Sequence, residues 1–203
     1  SPGIVIKNRI RDLFTGFGFH EAINFSFIHL SSCERLRIPE GDRRRVLIDI
    51  LNPLSEDQSV MRTSLVPGLL QNVQHNLARQ VRDLALFEIG NVFFKQADSE
   101  LADEVEMVAG FMTGSALEQA WHGKERPCDF FDLKGVLEGF FKALFMDDVV
   151  FEPLAPESCH YYRKGYAASI LAGGQSIGTL GRIHPEVLDA FDIRQDVFVF
   201  ELG

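Results

Sequence analysis

Arg62 and Glu88 are the two residues whose setting most invites chemistry. Each is a charge among apolar neighbours, in Met61-Arg62-Thr63-Ser64-Leu65 and in Leu86-Phe87-Glu88-Ile89-Gly90. Buried without a partner, such a charge costs several kcal/mol. Both are therefore expected to be paired or bonded to backbone, as fold-specifying contacts rather than catalytic groups. Six histidines, His20, His29, His75, His122, His160 and His184, show no His-x-x-x-His grouping, and Cys33, Cys128 and Cys159 stand far apart with no metal-ligand spacing. No metal site and no disulfide framework follow, and a reducing, cytoplasmic setting is the natural reading. Gly173-Gly174 and Gly178-Thr179-Leu180-Gly181 lack the Lys-Ser/Thr of a phosphate loop and read as turn chemistry. Arg35, Arg37, Arg43, Arg44 and Arg45 form the one basic concentration. Arg43, Arg44 and Arg45 are the candidate RNA contacts there, beside the simpler reading of a solvated loop. Glu100, Asp103, Glu104 and Glu106 are its acidic counterpart, without the grouping of a metal cage.

The rest of the chain must position these groups. Its 203 residues allow one large domain or two small ones, and a net charge of −9 excludes bulk electrostatic binding of nucleic acid. Eighteen Phe against one Trp and three Tyr point to a phenyl-packed core. No apolar run is long enough to cross a membrane. The chain opens on Ser-Pro-Gly without Met and stops on a strand-like run, so it reads as a single domain excised from something longer.

Apolar spacing predicts a helix over 4–17, with Ile6, Ile10, Leu13, Phe14 and Phe17 on one face. A strand is expected over 18–27, a short helix over 30–36, an exposed loop over 39–45 and a short strand over 46–50. Asn52-Pro53-Leu54-Ser55, with Glu56 and Asp57, reads as a turn. Ser64 is the expected N-cap of a helix ending near Gln80, with Pro67 in its first turn. Long strands over 84–94 and 104–113 follow, then a loop carrying Trp121 and a helix over 129–145. Strands over 149–152, 166–172 and 176–183 come next, the last two joined through Gly173-Gly174-Gln175. His184-Pro185-Glu186 opens a short helix before a final strand, 197–202. Hairpin-joined strands with inserted helices predict an α+β fold, an antiparallel sheet flanked by helices.

Six ordered segments carry a family resemblance. They are Gly18-Phe19-His20-Glu21-Ala22, Asn52-Pro53-Leu54-Ser55, Met61-Arg62-Thr63-Ser64-Leu65, Phe87-Glu88-Ile89-Gly90, Asp132-Leu133-Lys134-Gly135 and Gly178-Thr179-Leu180-Gly181-Arg182-Ile183-His184-Pro185-Glu186. Together they resemble the core domain of the bacterial phenylalanyl-tRNA synthetase beta subunit. That resemblance implies a class II aminoacyl-tRNA synthetase-like fold without catalytic residues of its own. It also implies an (αβ)2 assembly in which the alpha subunit forms phenylalanyl-tRNA(Phe), ATP and magnesium serving the whole enzyme and no cofactor this domain. The resemblance turns the helix 4–17 stripe into a candidate interface with the alpha subunit.

Class II chemistry needs arginines where phosphate charge develops. In the family pattern one follows a Gly-x-Val-aromatic step on the long strand. Gly90-Asn91-Val92-Phe93 is followed instead by Phe94, with Lys95 expected on the opposite face. The proline of the first motif is absent near Asn24-Phe25-Ser26, and 197–203 carries no third-motif arginine. These departures imply a scaffold. The alternatives are an amino-acid-binding regulatory paralogue and a self-sufficient ligase, against which Phe94 speaks.

Overall fold

The computed structural model describes residues 2–53, 55, 58–96, 101–116, 126–155 and 157–203. Leu54, Glu56, Asp57, Glu100, Trp121 and His122 lie outside them.

Strand propensity and alternation build a mixed seven-stranded sheet. Its members are β1 (His20–Glu21), β4 (Leu84–Lys95), β5 (Ala102–Thr113), β6 (Val149–Pro153), β7 (Tyr162–Ala172), β8 (Gln175–Ile183) and β9 (Val197–Leu202), in the order β1-β4-β5-β9-β8-β7-β6. All neighbours are antiparallel except β1, which runs parallel to β4 and corrects the expectation of a purely antiparallel sheet. The β7–β8 turn works because Gly173 and Gly174 both adopt positive φ, which a side chain would oppose.

The sheet divides two cores, and β9 shows how. All six of its residues are buried. Phe198, Phe200 and Leu202 face one core, Val197 and Val199 the other. The first core is covered by α1 (Pro2–Gly16) and α4 (Phe130–Ala143). α4 is fixed at its start by a reciprocal capping box between Asp129 and Asp132. The second core lies under α2 (Ser32–Arg35), α3 (Val66–Leu77) and α5 (Pro185–Ala190). His184 caps α5 by accepting from the Glu186 N–H at 3.2 Å.

Of the expected interface stripe on α1, Phe14 is core. It is 0% exposed and lies 4.7–5.6 Å, ring centre to ring centre, from Phe19, Phe87, Phe140 and Phe200. Phe14 is therefore withdrawn as an interface residue. Ile10 and Leu13 pack partly against the same core, whereas Ile6 and Phe17 stay exposed together with Ile4 and Val5. The sheet thus holds one end of α1 and leaves its first turns bare.

Two strand expectations change. The strand over 18–27 splits into β1 and β2 (Phe27–Ile28), and β2 pairs with β3 (Val60–Met61) in a separate two-stranded sheet. After Ala22, whose N–H still donates to the Phe87 carbonyl at 2.7 Å, the chain leaves β4. Asn24 is drawn onto Glu88 instead, and Ile23 and Phe25 end up 90% and 71% exposed. The segment 46–50 keeps only a bridge between Asp49 and Val60. The expected exposed loop over 39–45 closes as a 3-10 turn, Arg43–Arg45, capped by Asp42.

Candidate functional site

Position 88 lies on the β4 face beneath α3, in line with Val92 and Phe94. Glu88 accepts from Arg62 Nη1 at 2.6 Å, with side chains 3% and 6% exposed. Arg62 Nε also donates to the Asn91 carbonyl at 2.8 Å. The second Glu88 oxygen accepts from Asn24 Nδ2 at 2.7 Å, and Asn24 exchanges a reciprocal pair of amide bonds with Asn72 of α3, 3.0 Å each. Gly90 is part of the same design, since a Cβ there would overlap Arg62 Nη2. Arg62 is therefore a cation already committed to internal acceptors. It holds β3, β4 and the 22–26 crossing together and presents no free fork to a phosphate.

A second buried carboxylate, Glu201 on β9, works at the start of α3. It accepts from Ser64 Oγ at 2.8 Å and from the Leu65 N–H at 2.9 Å, with Tyr161 Oη at 3.4 Å. Leu65, not Ser64, occupies the N-cap position; Ser64 Oγ accepts from the Val66 N–H at 3.1 Å. The helix start is thus satisfied across the sheet by an anion at its positive end. Asn24, Asn72 and Glu201 were not singled out from sequence. Glu201 carries the same signal as Glu88, a lone acid in an apolar strand.

Phe94 is 7% exposed, and its ring lies 4.0 Å beneath the Arg43 guanidinium carbon. Lys95 is exposed. The basic concentration is largely engaged within the protein. Arg35 donates twice to the Ala190 carbonyl, at 3.0 and 2.8 Å, and Arg37 pairs with Glu186. Arg44 grips Asp42 at 3.0 and 2.6 Å, which holds the Asp42 carboxyl below the usual carboxylate range. Arg45 donates to the Ile38 carbonyl at 2.8 Å. Of the three candidate RNA contacts, Arg43 is the exposed one.

Among the described residues no group of three or more His, Cys, Asp or Glu is placed to hold a metal ion. The three thiols are buried and free. Burial pushes Cys128 up to about 12 and Cys159 up to about 11, and raises Cys33 as well. All three are neutral at physiological pH and unsuited to nucleophilic work. Alkylation of the native protein at pH 8 is expected to be slow at every cysteine and fast only after unfolding. A thiol that labels in the folded state as fast as free cysteine would contradict that burial.

An open groove of about 820 Å³ lies beside α3. Asn24, Arg62, Gln71 and Gln74 lie along it, with the exposed side chains of Ile23 and Phe25 at the edge.

The whole chain, residues 1–203, matches the family model described as the phenylalanyl tRNA synthetase beta chain CLM domain. The chain belongs to this family. Phenylalanine–tRNA ligase beta subunits of Geobacter sulfurreducens and Syntrophotalea carbinolica are 36% and 39% identical to it, over 98% and 96% of its length. That of Symbiobacterium thermophilum is 38% identical over 98%. The chain spans about a quarter of the length of these relatives, 24%, 24% and 22% respectively. In this CLM domain the segments that carried the resemblance have physical roles. Met61–Leu65 and Phe87–Gly90 hold the Arg62–Glu88 pair and the glycine that makes room for it, and Asp132 closes the α4 capping box. No described helix of the CLM domain is long and apolar enough to cross a membrane.

Proposed function

We propose that this domain is the non-catalytic core of a phenylalanine–tRNA ligase beta subunit. It serves as a scaffold for the alpha subunit that attaches phenylalanine to tRNA(Phe) in the cytoplasm. The (αβ)2 assembly, and the ATP and magnesium of that reaction, belong to the whole enzyme. One observation carries the non-catalytic part of this reading. Where the family pattern of an active class II long strand requires a phosphate-binding arginine, the side chain is Phe94, buried in the core. The nearby buried arginine, Arg62, is already held by Glu88 and the Asn91 carbonyl. The class II-like fold is part of the same proposal. Support comes from a long helix, α1, leading into a short strand that lies beside the long strand β4.

The scaffold part rests on apolar surface. Ile4, Val5 and Ile6 on α1, and Ile23, Phe25 and Leu30 after β1, are all exposed. Exposed apolar clusters of this kind mark protein contacts. ATP–pyrophosphate exchange with phenylalanine, measured with and without the alpha subunit, tests the reading.

The groove beside α3 favours a second reading, an amino-acid-binding regulatory domain with the cavity kept and the chemistry gone. Calorimetric titration with phenylalanine separates the two: the regulatory reading requires binding by the domain, the scaffold reading none.

A further inference from the structure

The chain carries nine more acidic than basic charges, yet one of its small cavities is lined by bases alone among its charged residues. This cavity, about 180 Å³, is formed where β7, the segment before it, the turn after α2 and the start of α5 come together. Arg37, His160, Arg163, Lys164 and His184 line it, and among the described residues no carboxylate does.

Three features place these groups by design of the fold rather than by chance of a solvated face. First, the β7–β8 ladder is interrupted. Tyr162 pairs with Ile183, and the next pair is Ala167 with Gly181, so five steps along β7 match two along β8. The extra residues bulge out at Gly165, whose φ is +79°. A bulge redirects side chains, and this one presents Arg163 and Lys164 to the cavity. Second, Arg37 sits just past α2 in the left-handed region, φ 57°, a conformation costly for a long side chain. Its Nε meets Glu186 at 3.2 Å, an exposed pair on the rim that an incoming anion can exchange. Third, His184 Nδ1 is occupied as the acceptor of the Glu186 N–H, so its proton resides on Nε2, a neutral donor. Burial first, then Arg37 and Arg163, hold His184 below its ordinary value despite Glu186. Arg163 lies over the Tyr166 ring, 5.1 Å away, and among the described residues neither Arg163 nor Lys164 has an ion-pair partner. The Tyr162 hydroxyl is already used by Thr179 and the Val199 carbonyl and is not available.

We propose that this cavity is a phosphate-binding site. A volume of about 180 Å³ exceeds the share of a water, about 30 Å³. It falls below the roughly 300 Å³ at which pockets for whole small ligands begin. A single phosphate group fits that interval, with the remainder of its molecule outside. Arginine forks, an ammonium and an imidazole N–H are the donors that phosphate oxygens take. The phosphate comes either from an RNA backbone or from a free or small-molecule phosphate. The RNA source rests on the reading of this domain as part of a tRNA ligase; the anion site itself does not.

The test uses the beta subunit at full length in its complex with the alpha subunit. The variant is Arg163→Gln/Lys164→Gln. The control is Lys95→Gln/Lys142→Gln, which removes the same charge at two exposed positions elsewhere. An RNA phosphate predicts that the variant binds tRNA roughly tenfold more weakly at low salt, as one charge-assisted contact is lost. The slope of log affinity against log salt should also shrink by about one, with the control unchanged. A small-molecule source predicts unaltered tRNA binding but loss of inorganic phosphate binding, read by phosphorus NMR titration. If the variant matches wild type for both tRNA and inorganic phosphate, the site is overturned. Phenylalanine-dependent ATP–pyrophosphate exchange, run without tRNA, is expected to be unchanged in every variant. An inactive wild-type complex would count against the scaffold reading and not against this site.

Discussion

Arg62→Met alone is expected to destabilise the fold by about 3–5 kcal/mol, because it leaves the Glu88 carboxylate buried without its cation. For a domain of this size that is a fall in melting temperature of roughly 6–20 °C. Glu88→Leu alone should fall in the same range, since it strands a guanidinium only 6% exposed. The double variant Arg62→Met/Glu88→Leu removes both charges and keeps volume. It should recover most of the loss, because a buried pair replaced by apolar groups is often neutral or better. The cost remaining in the double variant reads the interactions that only the charged pair makes, the Asn24 amide on Glu88 and the Asn91 carbonyl on Arg62. Thermal melts of the four proteins check this as a double-mutant cycle. Two single losses that simply add would contradict the geometry, which makes the pair one unit.

The largest effect on assembly is expected at the exposed apolar residues of the 22–30 segment. Ile23→Asp/Phe25→Asp places two carboxylates where the scaffold reading puts an apolar contact with the alpha subunit. Each central apolar anchor of an interface is worth about 2 kcal/mol or more, some thirtyfold in affinity. The double variant should therefore bind the alpha subunit at least a hundredfold more weakly. Its own melting temperature should hold, because side chains 90% and 71% exposed support little of the fold. Co-purification with a tagged alpha subunit, followed by titration, measures the loss. Full retention of binding would move the interface elsewhere.

How much of this was readable in advance follows from the range of the forces involved. The helices α1 and α4, the strands β4 and β5 and the Gly173-Gly174 hairpin are written in local periodicity and turn chemistry, and they fold nearly where that pattern places them. The break between β1 and β2 is not local. It depends on Asn24 reaching Glu88, 64 positions away, which outweighs the alternation of Ile23, Phe25 and Phe27. The Arg62–Glu88 pair was legible because two charges in apolar runs must find partners. Glu201 offered the same cue, and the helix start it caps was masked by Ser64, a good capping residue one position too early. Phe14 shared its face with exposed neighbours, and only the meeting of four other rings decides that it is core. The cavity of bases was invisible, since Arg37, Arg163, Lys164 and His184 meet only through a bulge and a helix turn.

The central claim is that the domain retains an enzyme-like core without performing the chemistry. Its most direct test is phenylalanine-dependent ATP–pyrophosphate exchange by the domain alone, by the alpha subunit alone, and by the alpha subunit with the full-length beta subunit. The scaffold reading predicts background exchange from the domain and activity that appears with the assembled subunits. Exchange above background from the domain alone would contradict it.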